Sequence, residues 1–169
     1  MGATLSVKEV NGATPGTPNT ITTMIMCTKD VYNPGTSYPI PIIAGQTTRS
    51  YWKSIYLNAD TTPDGTINNI KFYCDGDLTG WTGITCYVGT TDTYTQATGT
   101  EGETGDDSTV ATNNITSYTA SSPLSVSGSI TNPNTGKISD YVVIQVDVDG
   151  DSAEITSHEE TFTWRYDET

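Results

Sequence analysis

Histidine is nearly absent from this chain: His158 is the only one in 169 residues. With a single histidine, a multi-histidine metal site has no second member. There is no G-x-S-x-G elbow, and Gly136-Lys137 runs into Ile138, so neither a hydrolase nucleophile turn nor a phosphate-binding loop is present. Basic residues are scarce, seven against 20 acids, for a net charge of −13. Such a surface repels phosphate and argues against nucleic-acid binding. Cysteines number three, Cys27, Cys74 and Cys86, an odd count that cannot complete a disulfide framework. No C-x-x-C pair offers metal ligands. Long apolar runs are missing as well. The longest, Met24 to Cys27 and Tyr141 to Ile144, fall far short of the roughly 20 residues of a spanning helix, so no membrane segment is expected. Residues 1–20 lack the basic and apolar regions of an export signal. No window of a dozen residues repeats apolar positions at three and four, so no helix is expected.

What is present is threonine, 33 residues of it, interleaved with short alternating apolar runs. A β-branched residue suits the polar face of a half-buried strand. At Thr161 to Glu168 the alternation places Phe162, Trp164 and Tyr166 on one side of an extended chain, and Thr161, Thr163 and Arg165 on the other. Phe162, Trp164 and Tyr166 are therefore expected to be core anchors. The charged fraction is only 16%, against about 25% in typical globular proteins, so the composition is that of a folded chain. The acid is unevenly spread. Residues 88–169 hold 14 of the 20 acids but only two bases, Lys137 and Arg165.

The runs read as strands over Thr4 to Val10, Ile21 to Thr28, Ser50 to Ala59, Ile67 to Cys74 and Ile84 to Val88. Further runs follow at Ile115 to Thr119, Leu124 to Ile130, Tyr141 to Asp149 and Thr161 to Asp167. Ser50 to Ala59 carries bulk on both faces, which predicts a central strand. Tyr38-Pro39-Ile40-Pro41-Ile42 lacks ladder donors at each proline and reads as an edge or a crossing segment. Asn33-Pro34-Gly35, Pro63-Asp64-Gly65, Asp75-Gly76-Asp77 and Asn132-Pro133-Asn134 read as turns. Residues 89–113, rich in Thr, Gly, Asp and Glu, read as a long acidic loop. The expected fold is all-β: a two-sheet antiparallel β-sandwich, Ig-like or jelly-roll, of about eight or nine strands. Residues 1–20 form an N-terminal strand and flexible arm, and 21–169 a single sandwich domain.

Asp147-Val148-Asp149-Gly150-Asp151 has the acid spacing of a calcium loop but fails the EF-hand pattern, with Ser152 in place of the glycine and His158 in place of the bidentate Glu. It ends a strand, and Asp149-Gly150 is a turn signal. The segment is read as a turn, with no metal and no cofactor expected. Asp147, Asp149 and Asp151 are the acids that would ligate a cation if one bound. Cys74 and Cys86 each sit in an apolar run, and a bridge between them is left open. Trp81, in a glycine-flanked turn, is the tryptophan best placed to meet a ligand or an interface. Asn114-Ile115-Thr116 is a glycosylation sequon, relevant only on a secretory route.

The order of several segments resembles small virion structural proteins of tailed phages and related viruses. The segments are Ser50-Tyr51-Trp52-Lys53 leading into Ile55-Tyr56-Leu57; Ile67-Asn68-Asn69-Ile70-Lys71-Phe72-Tyr73-Cys74-Asp75-Gly76; Trp81-Thr82-Gly83; and the terminal strand Thr161 to Glu168. The resemblance implies a non-enzymatic shell component such as a capsid decoration protein, or otherwise a tail or neck component. It implies a homo-oligomer whose partners are the major capsid protein or tail proteins, in a virion assembled in the host cytoplasm. A carbohydrate-binding β-sandwich module or a surface adhesin is the alternative expectation.

Overall fold

The computed structural model describes residues 2–76, 81–152 and 159–169. Asp77 of the Asp75-Gly76-Asp77 turn and the lone His158 lie outside the described residues. The fold is all-β, and every strand pairing is antiparallel. In chain order come β1 (Leu5–Val10), β2 (Asn19–Ile21), β3 (Thr47–Arg49), β4 (Lys53–Ala59), β5 (Thr66–Cys74) and β6 (Ile84–Thr91). Then follow β7 (Gly99–Thr100), β8 (Thr104–Gly105), β9 (Asn113–Asn114), β10 (Leu124–Ser125) and β11 (Ile130–Thr131). Last come β12 (Gly136–Lys137), β13 (Tyr141–Asp149) and β14 (Phe162–Glu168). Among the described residues the only helical turn is a 3-10 turn, Ile115–Ser117.

A large sheet runs in the order β2-β1-β4-β13-β6-β9, with β12 beside β4 and β3 beside β13. A small sheet places β5 between β10 and β11 on one side and β14 on the other. The two pack face to face as the expected sandwich. Ile55, Leu57, Val88, Val142, Ile144 and Val146 of the large sheet meet Ile67, Ile70, Phe72 and Cys74 of the small one. Alternation produces this directly, because residues two apart share a face. β13 is the organising strand, registered on β6 from Tyr141↔Thr91 to Val148↔Ile84 and on β4 and β3 at its other edge.

The outer face of the large sheet is covered too. Val10, Tyr56, Ala111, Tyr141 and Val143 form a second buried cluster. Tyr141 meets Tyr56 edge-on at 5.6 Å, and Lys137 lies 3.4 Å from the centre of the Tyr141 ring. The cover is the 89–113 region, so the long acidic loop is a strap as well as a loop. Its acids Glu101, Glu103, Asp106 and Asp107 are exposed, while Ala97, Gly105, Ser108 and Ala111 are buried. β7 and β8 make a small hairpin in it. The strap comes so close to the sheet that a side chain at Gly105 would strike the Ser50 carbonyl, and one at Gly89 the Val110 carbonyl.

Several sequence expectations change. β4 is central as expected but begins at Lys53, because Ser50 leaves the regular ladder: its N–H donates to Val146 O at 2.8 Å and its hydroxyl accepts from Val146 N at 3.0 Å. Within Ile21 to Thr28 only Ile21 is in a strand; Met24 and Met26 pack on the core from an irregular segment. Ile115 to Thr119 is not a strand, because Asn114 Oδ1 accepts from Thr116 N at 3.0 Å and caps the 3-10 turn. Leu124 to Ile130 splits into β10 and β11, both on β5. The N-terminal strand expected at Thr4 to Val10 is present as β1, and it lies between β2 and β4.

Candidate functional site

Among the described residues, the small sheet keeps a half-buried to exposed outer side. On its inner side the Phe162 and Trp164 rings stand 5.4 and 5.1 Å from that of Phe72, and both side chains are half-buried on the core. On its outer side Arg165 is registered opposite Lys71, and Thr163 opposite Tyr73. Lys71 Nζ donates to Ser125 Oγ at 2.9 Å. The Arg165 guanidinium lies 5.9 Å from the Tyr73 ring centre and donates to Ala120 O at 3.4 Å. Among the described residues Lys8, Lys29, Arg49 and Lys53 all have acidic partners, whereas Lys71, Lys137 and Arg165 have none; Lys137 is instead taken up by the Tyr141 ring, which leaves Lys71 and Arg165. Like charges directly opposite on a sheet cost stability. Two of seven bases in so acidic a chain are thus spent on one half-buried to exposed face.

The register of β14 also corrects one core anchor. Arg165 pairs with Lys71, but Asp167 pairs with Asn68, so Asn69 and Ile70 together oppose Tyr166. This is a β-bulge on β5, made by Asn69 at φ +50, a conformation that asparagine tolerates better than most residues. Asn69 Nδ2 then donates to Asp167 Oδ2 at 2.7 Å. Tyr166, opposite the bulge and without a registered partner, is 38% exposed. It is not a core anchor.

The remaining candidates are dispersed. Trp81 is half-buried, with part of its ring packed against the main core. Asp147 stands 3.4 Å from Arg49 Nε, and burial pushes its carboxyl up despite that cation. It shares a polar groove of about 190 Å³ with Asp149, Thr47, Thr85 and Tyr87. Asp149 Oδ1 accepts from Asp151 N at 3.1 Å, which is the turn read from the sequence. Among the described residues no group of three His, Cys, Asp or Glu could hold a metal ion. Cys27, Cys74 and Cys86 are buried free thiols. Cys74 is on β5 and Cys86 on β6, so the two belong to opposing sheets, and the bridge left open is not made. Burial pushes all three thiols up, Cys86 to about 12, which leaves them protonated and poor nucleophiles.

Sequence reasoning missed three features. Glu9 and Lys53, each 1% exposed, form an ion pair at 2.8 Å, and Lys53 also donates to Val31 O. The signal was present, since Glu9 falls in line with Leu5 and Val7 on the inward side of β1. Near the start of β14 both carboxylate oxygens of Glu160 are buried. Burial first, and the Asp75 carboxyl second, raise its pKa to about 7. Third, Trp52 walls a cleft of about 230 Å³ with Thr91, Thr95, Val110 and Val143, and its Nε1 donates to Thr95 O at 3.1 Å.

Compared with known protein families, curated proteins and solved structures, the chain matches none.

Proposed function

We propose that this protein is a non-enzymatic assembly module that presents its small sheet to a partner. The observation that carries the reading is the asymmetry of the sandwich. The large sheet is covered on both faces, by the small sheet and by the strap. Lys71, Tyr73, Ser125, Thr163 and Arg165 of the small sheet remain half-buried or exposed on its outer side. A like-charged pair kept at a cost on an open face is what a partner surface requires, and a partner offering carboxylates would relieve it.

The finer reading is a virion structural protein, a capsid decoration protein that holds to a repeating viral lattice, with a tail or neck component as its variant. It draws on the sequence resemblance; a sandwich with one face free to dock is compatible with that role. The test is co-sedimentation and negative-stain microscopy of the purified chain mixed with virus particles from the same source. Bound density on the head, lost in a Lys71→Glu/Arg165→Glu variant, supports the reading. A chain that joins no particle removes it, and density confined to the tail moves it there.

A second reading, a carbohydrate-binding module, is favoured by the Trp52 cleft, which combines an indole wall with a threonine rim. Glycan-array binding lost on Trp52→Ala and kept on Trp81→Ala would support it; a silent array would retire it.

A further inference from the structure

We infer that β14 pairs antiparallel with β14 of a second copy, in the register that sets Tyr166 opposite itself. The inference deepens the assembly reading and rests on it for the claim that the small sheet is a contact surface. β14 is seven residues long and pairs only with β5, so its other edge has no strand partner among the described residues. An open edge of that length is a template for another strand.

The backbone fixes which residues face that edge. Thr161 O accepts from Asp75 N at 3.2 Å, and Thr169 exchanges both bonds with Thr66 at 2.7 and 2.9 Å. Both ends of the strand therefore turn odd-numbered residues towards β5. By alternation Phe162, Trp164, Tyr166 and Glu168 turn their N–H and C=O groups outward. A two-fold pairing must match these outward groups, which leaves registers centred near Trp164, Arg165, Tyr166 or Asp167.

Charge selects among them. Centring on Arg165 sets Arg165 against itself, and centring on Asp167 sets Asp167 against itself. Centring on Trp164 leaves both facing threonine. Centring on Tyr166 sets Arg165 against Asp167 of the second copy, and Asp167 against its Arg165. It also pairs Thr163 with Thr169, Trp164 with Glu168, and the exposed Tyr166 with its equivalent. Each Arg165, which stands opposite Lys71 on one side, then gains an acid opposite on the other, two opposite-charge cross-strand pairs in all. The contact is isologous, as closed two-fold dimers are. One strand edge falls below the roughly 1,200 Å² of a standard stable interface, so the dimer is weak in solution and gains strength where copies are held side by side.

Sedimentation velocity across a concentration series, up to the solubility limit, tests this on the full chain. The wild type should show reversible dimerisation. Arg165→Asp and Asp167→Arg should each weaken it about tenfold or more, since each turns two attractions into two repulsions. The double variant Arg165→Asp/Asp167→Arg should restore it. Arg165→Asp also gives Lys71 an acid opposite, so the fold is not weakened by the change, and an unchanged melting temperature confirms that. A chain that stays monomeric at every concentration overturns the inference, and so does a dimer indifferent to both reversals. Particle binding is scored separately. A monomer that still binds particles sinks this pairing and leaves the assembly reading, whereas a charge-swap-dependent dimer that joins no particle sinks only the virion reading.

Discussion

Gln145 holds the backbone of Ser108 through its side-chain amide: Oε1 accepts the Ser108 N–H at 2.9 Å. The Nε2 of the same amide donates to the carbonyls of Ser50 and Asp106, at 2.8 and 2.7 Å. One side chain, 1% exposed, thereby ties the strap and the Ser50 irregularity to the central strand. Gln145→Glu keeps the shape but sets a carboxylate against two carbonyls that need a donor. The expected loss is about 3 kcal/mol by urea denaturation, the cost of buried acceptors left unmatched. A loss below about 1 kcal/mol would mean that the strap is held elsewhere.

The ladder strands were legible because their periodicity is local. The alternating run Tyr141 to Asp149 coincides with β13, and the bulk on both sides of Ile55 and Tyr56 marks that strand as central, where it lies. The strap was not legible. Its buried positions are Ala97, Gly105, Ser108 and Ala111, small residues whose burial comes from what they lie on, not from any pattern of their own. The open face was half legible. Alternation put Arg165 on the outer side of its strand, but its standing opposite Lys71 depends on the register between distant segments. Tyr166 departs from its expected core position for the same reason, since the bulge that displaces it is made by Asn69 on another strand.

That correction grades the aromatic residues around the small sheet. Phe72 is fully buried and touches both Phe162 and Trp164, so Phe72→Ala should cost about 3–5 kcal/mol. Trp164 is only half-buried, and Trp164→Ala should cost less, about 2 kcal/mol. Tyr166→Ala should stay within about 0.5 kcal/mol, as an exposed position does. Chemical denaturation of dilute samples, where self-association is negligible, checks the ranking. A Tyr166→Ala loss equal to that of Phe72→Ala would mean that β14 sits in a different register.

Glu9 and Lys53 are an ion pair removed from water, so their two single variants and their joint replacement should behave oppositely. Lys53→Met leaves the Glu9 carboxylate buried without its cation and should cost about 3–5 kcal/mol; Glu9→Leu should cost about as much. The double variant Glu9→Leu/Lys53→Met removes both charges and should recover most of that loss, apart from the bond that Lys53 gives to Val31 O. A double-mutant cycle measures the coupling. Additive losses would show that the pair does not act as a unit.

Glu160 should make stability depend on pH in a direction opposite to most native carboxylates. Its pKa is raised from 4.5 to about 7 by burial and by the adjacent Asp75 carboxyl. Between those values the folded state holds a proton that the unfolded state has released. Stability therefore falls as pH rises through that window and levels off above it. The acidity of the whole chain gives a trend of the same sign, because self-repulsion grows as carboxylates ionise. The Glu160→Gln variant separates the two, since it keeps the size of the side chain and removes only this titration. The gap in melting temperature between variant and wild type should be small near about pH 5 and larger, in favour of the variant, near about pH 8. A gap that is constant across that range would show that Glu160 titrates as an ordinary surface carboxylate, with its proton lost before the window begins.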